Sequence, residues 1–172
     1  MEMKVKIVNK SPFDLPKYET KGSAGMDLRA NFSEITSTKD LKNVGEVVVV
    51  LPSDGKIEVS EIMLYPNSRM IIPTGIYIQL PENVEAQIRP RSGLSFKTGL
   101  DLPNSPGTVD EDYTGEVGII VSNPTDRIII IKHGDRIAQM VFNKVEKCEW
   151  FTVDSLEETE RGSGGFGHTG NK

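Results

Sequence analysis

The sequence predicts an all-β domain of the sandwich or jelly-roll kind, on three observations. Val and Ile together number 31, against 14 for Leu and Ala. β-Branched side chains suit a pleated, half-buried surface, whereas Ala and Leu favour helices. Gly and Pro together number 26 in 172 residues, so turns are frequent and long helices have little room. The apolar runs are short and end at turn signals, a spacing that fits a sandwich or barrel rather than βαβ units.

In chain order, VKIV at 5–8 is the first strand, followed by Ser11-Pro12. EVVVVL at 46–51 stops at Pro52, and Asp54-Gly55 is a hairpin dipeptide leading into KIEVS at 56–60. RMIIP at 69–73 passes through Thr74-Gly75 into IYIQL at 76–80, which Pro81 ends. VEAQIRP at 84–90 alternates between faces. EVGIIVSN at 116–123 stops at Pro124, and RIIIIK at 127–132 stops at His133-Gly134-Asp135. RIAQMVF at 136–142 and the stretch around Glu149–Val153 complete the strands. One short helix is expected near Ser95–Thr98, burying little. The last segment, EETERGSGGFGHTGNK, holds five Gly and a single Phe. Such a segment cannot build a core, so residues 157–172 are expected to form a flexible arm that orders on a partner or ligand. Residues 1–156 form the β-barrel domain.

Charge and composition exclude several functions. The net charge is −5, a poor basis for wrapping a nucleic-acid backbone or an anionic membrane. The single Cys148 excludes an intrachain disulfide and a cysteine-based zinc site, and two His argue against a His-rich metal centre. MEMKVKIVNK has no apolar run of signal-peptide length, and no stretch approaches the ~18 apolar residues of a membrane span. The expectation is a soluble, cytoplasmic protein. RGSGGFGHTG lacks the Lys-Ser/Thr ending of a P-loop. DEDYTG opens like a calcium loop, but the position where an EF-hand needs Glu is Val121. His133 and His168 sit in Gly-flanked loops and support no Ser–His–Asp arrangement.

The polar segments that remain could carry chemistry. AGMDLRA (24–30) sets Asp27 among apolar neighbours, and RPRSGLSFKTG (89–99) sets Arg91, Ser92 and Gly93 at a strand end. NSPGTVDEDYTGE (104–116) gathers three acids and Tyr113 on a turn, and GDRIAQ (134–139) supplies Arg136 and Gln139. The terminal RGSGGFG adds Arg161 and Phe166. Arg forks match phosphate oxygens, backbone N–H groups cradle them, and Mg²⁺ usually accompanies phosphates. Each residue also has an ordinary reading. Arg91 could be a salt-bridged strand end, Asp27 a turn residue, and Asp110, Glu111 and Asp112 an acidic hairpin loop. Tyr113 could be a half-buried turn aromatic, and Arg136 and Gln139 solvent-facing strand positions. The residues alone lead as far as a β-rich nucleotide-binding domain and leave its dependence on Mg²⁺ open.

Five segments in order resemble the five motifs of the trimeric dUTP pyrophosphatases (dUTPases): AGMDLRA (24–30), PRSGL (90–94), NSPGTVDEDYTGEVGIIVSN (104–123), GDRIAQMVF (134–142) and RGSGGFGHTG (161–170). The resemblance implies a jelly-roll-like β subunit in a homotrimer, with active sites at subunit interfaces and the arm closing over a neighbour's site. It implies hydrolysis of dUTP to dUMP and pyrophosphate, with Mg²⁺ on the triphosphate. By the same resemblance, Asp110 activates the attacking water at the α-phosphorus, and Asn104 reads the uracil edge beside hairpin groups at Gly107 and Val109. Tyr113 lies under the deoxyribose, where a 2′-hydroxyl would clash. Arg91, Ser92, Gly93 and Gln139 contact phosphates, and Arg136 supports the charge network. Asp27 acts on the metal indirectly, through water. In the arm, Arg161 and Thr169 meet the γ-phosphate, and Phe166, beside Gly167, stacks on uracil.

One departure from a compact member is an extra β-hairpin near 42–65, outside the motifs. It is a surface elaboration, an extended trimer contact or a docking site for a protein partner. Two rival functions remain. A dCTP deaminase shares the fold but attacks a base carbon and needs a Glu near the ring, and the GTVDEDY turn argues against it. A dUTP-sensing regulatory module would bind without needing turnover.

Overall fold

The computed structural model describes residues 3–35, 41–50 and 59–165. Its strands are β1 (Lys6–Asn9), β2 (Met26–Arg29), β3 (Asn43–Val44), β4 (Val47–Val50), β5 (Glu61–Leu64), β6 (Arg69–Ile72), β7 (Ile76–Gln79) and β8 (Val84–Pro90). The helix α1 (Ser92–Thr98) follows, then β9 (Gly107–Val109), β10 (Ile119–Ser122), β11 (Ile129–Lys132) and β12 (Arg136–Lys144). All pairings are antiparallel, in sheets of order β1–β7, β10–β6–β3, β11–β5–β4 and β2–β12–β8–β9. This is an all-β, jelly-roll-like fold with one short helix.

Period-two alternation places the core. In β8, Val84, Ala86 and Ile88 are buried while Glu85, Gln87 and Arg89 face outward. The outward three bond one another: Gln87 Nε2 donates to Glu85 Oε1 at 2.6 Å, and Arg89 Nε donates to Gln87 Oε1 at 3.1 Å. Leu28, Ile62, Leu64, Met70, Ile72, Ile119, Ile131 and Met140 fill the interior from several sheets. One buried amide stitches sheets together. Asn123 Nδ2 donates to the carbonyls of Leu64 and Arg127 at 2.8 and 2.7 Å, and its Oδ1 accepts from the Thr125 N–H at 3.0 Å. A buried amide is stable only when its groups are satisfied in this way.

Three expectations change. The helix begins at Ser92, not near Ser95, with extended Arg91 as its N-cap and Gly99 (φ 78°) closing it. The stretch around Glu149–Val153 is not a strand. Trp150 and Phe151 are 92% and 89% exposed, and among the described residues no strand lies beside them to share hydrogen bonds. The extra hairpin is present, and β4 pairs with EIML at 61–64, a strand not expected there, with the Ser60 N–H donating to the Val50 carbonyl at 2.9 Å. Residues 51–58, including Asp54-Gly55, lie outside the described residues. Among the described residues, no helix is long and apolar enough to cross a membrane.

Candidate active site

Four of the five polar segments meet on the sheet β2–β12–β8–β9. Asp27 lies in β2, Arg136 and Gln139 in β12, Arg91 just past β8, and Gly107 and Val109 in β9. Val109 lines one cleft and Asp27, Arg91 and Gln139 line another, and the two share no lining residue.

The first cleft, of about 470 Å³, is lined by Asn104, Val109, Asp110, Tyr113 and Glu116, among others. Its hairpin wall is built locally. The Tyr113 N–H donates to the Asp110 carbonyl at 3.2 Å, and the Tyr113 hydroxyl donates to the Glu116 carbonyl at 2.9 Å. The Ser105–Pro106 peptide is cis. Gly107 is buried, and a Cβ there would lie 2.8 Å from Asn104 Nδ2, so only glycine lets that amide sit against β9. Asp110 is exposed, and among the described residues its carboxylate takes no hydrogen bond or ion pair. It is open to water. Tyr113 is 46% exposed and offers a ring face to a ligand.

The second cleft, of about 450 Å³, is lined by Asp27, Arg91, Ser92, Gly93, Lys97 and Gln139, with Leu94. Its centre is the Asp27 carboxylate, 17% exposed and bonded to two arginines. Arg91 Nε donates to Asp27 Oδ1 at 2.8 Å, and Arg136 Nη1 donates to Oδ2 at 3.1 Å. Arg91 Nη1 also donates to the Arg136 carbonyl at 2.9 Å, and Glu19 Oε1 lies 3.4 Å from Arg136 Nη1. A guanidinium has five N–H donors, so Arg91 keeps donors for a phosphate. Ser92 and Gly93 open α1, where first-turn N–H groups have no intrahelical acceptor. Gln139 lies opposite Asp27 in the ladder and donates to the Pro90 carbonyl at 2.9 Å. A register shift falls between Arg136, which bonds the Asp27 carboxylate, and Gln139, which lines the same cleft three residues on.

Arg161 is exposed, and its Nε donates to the Gly164 carbonyl at 2.8 Å. Phe166, Gly167 and Thr169 lie outside the described residues. The sequence reading missed Lys97, Glu116 and the root of the insertion, Leu41 and Lys42, which line the clefts. Lys97 was findable: with α1 starting at Ser92, Gly93 and Lys97 stand i, i+4 on one face. Glu116 carried no sequence signal, because its bonding partners lie about forty residues away. Among the described residues, no cluster of three or more His, Cys, Asp or Glu could hold a metal ion.

Known proteins match this chain along its length. The family model described as dUTPase matches residues 56–170. The deoxyuridine 5′-triphosphate nucleotidohydrolase of Finegoldia magna is 48% identical over 98% of this chain and 99% of its own. That of Fusobacterium nucleatum is 41% identical over 98% of each. Among solved structures, the dUTPase of Staphylococcus bacteriophage 80alpha with dUpNHpp superposes at TM-score 0.69 and 23% identity, covering 97% of this chain and 98% of that one. A mutant dUTPase of phage phi11, described for its coordination of a structural Mg(II) ion, gives TM-score 0.64 and 21% identity over 90% and 99%. At those identities the structures speak for the fold. The jelly-roll enzyme class that the sheets and clefts suggest is met by the sequence relatives. The chain belongs to the dUTPase family, a family of enzymes.

Proposed function

We propose that this protein hydrolyses dUTP to dUMP and pyrophosphate in a Mg²⁺-dependent reaction, as a homotrimer. The separation of the two clefts carries the proposal. Val109 pairs with Ala86, five residues before Arg91, and at a strand rise of about 3.3 Å per residue that is about 16 Å. Arg91 also turns away from β9, across β12, to Asp27 in β2. That spacing supports a site in which one triphosphate does not meet Asp110 and Arg91 of the same chain. A second copy supplying the arginine cleft to the first copy's hairpin cleft completes the site, as closed cyclic symmetry allows.

In the completed site Asn104, with backbone groups at Gly107 and Val109, reads the uracil edge, because an amide offers both a donor and an acceptor. Tyr113 lies under the deoxyribose. Arg91, the α1 residues Ser92 and Gly93, and Gln139 hold the phosphates, with Arg136 fixed beside them. Asp110 takes a proton from the water attacking the α-phosphorus; the bond to the bridging oxygen breaks and pyrophosphate leaves. The chain's donors fit Mg²⁺ in an outer role. Each Asp27 oxygen accepts one guanidinium hydrogen bond and keeps acceptor capacity for a water of the ion's hydration shell. When bound, Mg²⁺ neutralises the triphosphate oxygens and orients them. The arm, residues 157–172, closes the site: Arg161 and Thr169 meet the γ-phosphate, and Phe166, beside Gly167, covers uracil. Closure excludes bulk water and holds the in-line geometry.

The test is product analysis with dUTP, dCTP, dTTP and UTP in the presence of Mg²⁺, beside an Asp110→Asn control. Formation of dUMP and pyrophosphate from dUTP alone, lost in the variant, is the expected result. Ammonia release from dCTP would point to a deaminase, and binding without turnover to a sensing module. A second test addresses the shared site. Asp110→Asn and Arg91→Ala proteins, each far less active than the original, are dissociated, mixed in equal amounts and reassembled. Random trimers leave about one site in four with both residues intact, so about a quarter of the activity returns. No recovery would confine the site to one chain.

A further inference from the structure

We propose that Glu116 is a positioning residue for Tyr113 and, through it, for the choice of deoxyribose over ribose; this rests on the reading that Tyr113 lies under the sugar. Glu116 lines the hairpin cleft, but its carboxylate is turned to the backbone of another segment. A single oxygen, Oε1, accepts the Thr74 N–H at 3.0 Å and the Gly75 N–H at 2.6 Å. Charge-assisted bonds of this kind are short and strong.

The turn they reach is rigid. Thr74 is buried and its hydroxyl donates to the Val117 carbonyl at 2.6 Å. Gly75 has φ 70°, and its carbonyl accepts the Lys10 N–H at 2.8 Å. The Pro73 carbonyl accepts the Asn31 N–H at 2.9 Å. The main chain of Glu116 is therefore pinned to the core on one side. On the other, its carbonyl accepts the Tyr113 hydroxyl at 2.9 Å. Gly115 completes the seat, since a Cβ there would lie 2.5 Å from that hydroxyl oxygen.

A relay thus runs from a buried turn, through the Glu116 carboxylate and carbonyl, to the edge of an otherwise half-exposed ring. A ring free to tilt would admit a 2′-hydroxyl; a ring held at its hydroxyl would not. The consequence falls on sugar selection and substrate binding rather than on proton transfer, because Glu116 itself touches no reacting atom in this arrangement.

The test is steady-state hydrolysis of dUTP and UTP by the full chain and by Glu116→Ala, Glu116→Gln and Tyr113→Phe, with Tm recorded for each. Glu116→Ala is expected to lower the dUTP/UTP ratio of kcat/KM about tenfold, chiefly by raising KM for dUTP. Glu116→Gln should stay within about threefold of the original, because an amide oxygen can accept the same two N–H groups. Tyr113→Phe should move the ratio the same way, and the double variant Tyr113→Phe/Glu116→Ala should lose no more than the larger single loss. A folded Glu116→Ala protein with an unchanged ratio overturns the proposal, as does a Gln variant as poor as Ala, or losses that multiply. If Glu116→Ala does not fold, Tyr113→Phe decides: a lowered ratio supports the relay and an unchanged one overturns it. An original chain that hydrolyses no dUTP overturns the proposed function and the relay with it, an outcome distinct from an active enzyme whose selectivity ignores Glu116.

Discussion

The hairpin cleft and the arginine cleft both border the sheet β2–β12–β8–β9 and are assembled in opposite ways. Most of the first comes from one contiguous stretch, Asn104 to Ile120, joined by Leu41, Lys42, Ile71 and Pro73, and its hairpin bonds close over a few residues: Tyr113 to Asp110 and Tyr113 to Glu116. The second comes from segments far apart in the chain. Its two central bonds, Arg91 to Asp27 and Arg136 to Asp27, span 64 and 109 positions. The difference shows in charge as well. Asp110 stands without a cation among the described residues, while Asp27 is held by two. A free carboxylate suits a base and a paired one suits a scaffold, so the proposed function gives these two acids different work.

Substitutions can separate the two. The largest effect is expected for Asp110→Asn, which keeps the shape of the side chain but cannot accept a proton: kcat falls about 10³-fold while dUpNHpp affinity, read by calorimetry, stays nearly unchanged. Arg91→Ala comes next, with kcat/KM about 10²-fold lower, and Arg91→Lys rescues little because an ammonium cannot make the forked contact. Gly107→Ala forces the Asn104 amide out of its seat, raising KM about tenfold with kcat nearly intact. Equal losses in kcat and kcat/KM would instead tie that amide to the transition state.

Asp27→Asn is the mildest and the most informative about the second cleft. It weakens two charge-assisted bonds, so kcat/KM falls about fivefold. If Asp27 works through its arginines, the Mg²⁺ concentration giving half-maximal rate does not move. A shift in that concentration would assign Asp27 to the ion, as the sequence resemblance implied.

The contrast between the clefts also explains what was legible. Asn104, Asp110 and Tyr113 could be read as a group because a hairpin brings near neighbours together by local geometry alone. Asp27, Arg91, Arg136 and Gln139 could be listed only as residue types, since their meeting depends on the register of β2, β12 and β8. The shift between Arg136 and Ala138 could not be placed from RIAQMVF, which reads only as an apolar strand run without a turn residue. The short strands β2, β5 and β9 were hidden for a related reason: three or four residues of mixed polarity become a strand only when a neighbour supplies the ladder. Trp150 and Phe151 are the converse case, residues of strong strand propensity that stand exposed and outside the strands of the described residues.

The sequence by itself determined the all-β class, the order of its longer strands, the family and the chemical types at the site. Each of these follows from periodicity, turn residues or short motifs, which are properties of neighbours along the chain. Tertiary structure decided that Asp27 binds two arginines, that Glu116 reaches the Thr74–Gly75 turn, and that the two clefts lie apart on a single chain. Those facts depend on which strands pair and in what register, and pairing is settled by packing of the whole domain rather than by any local run.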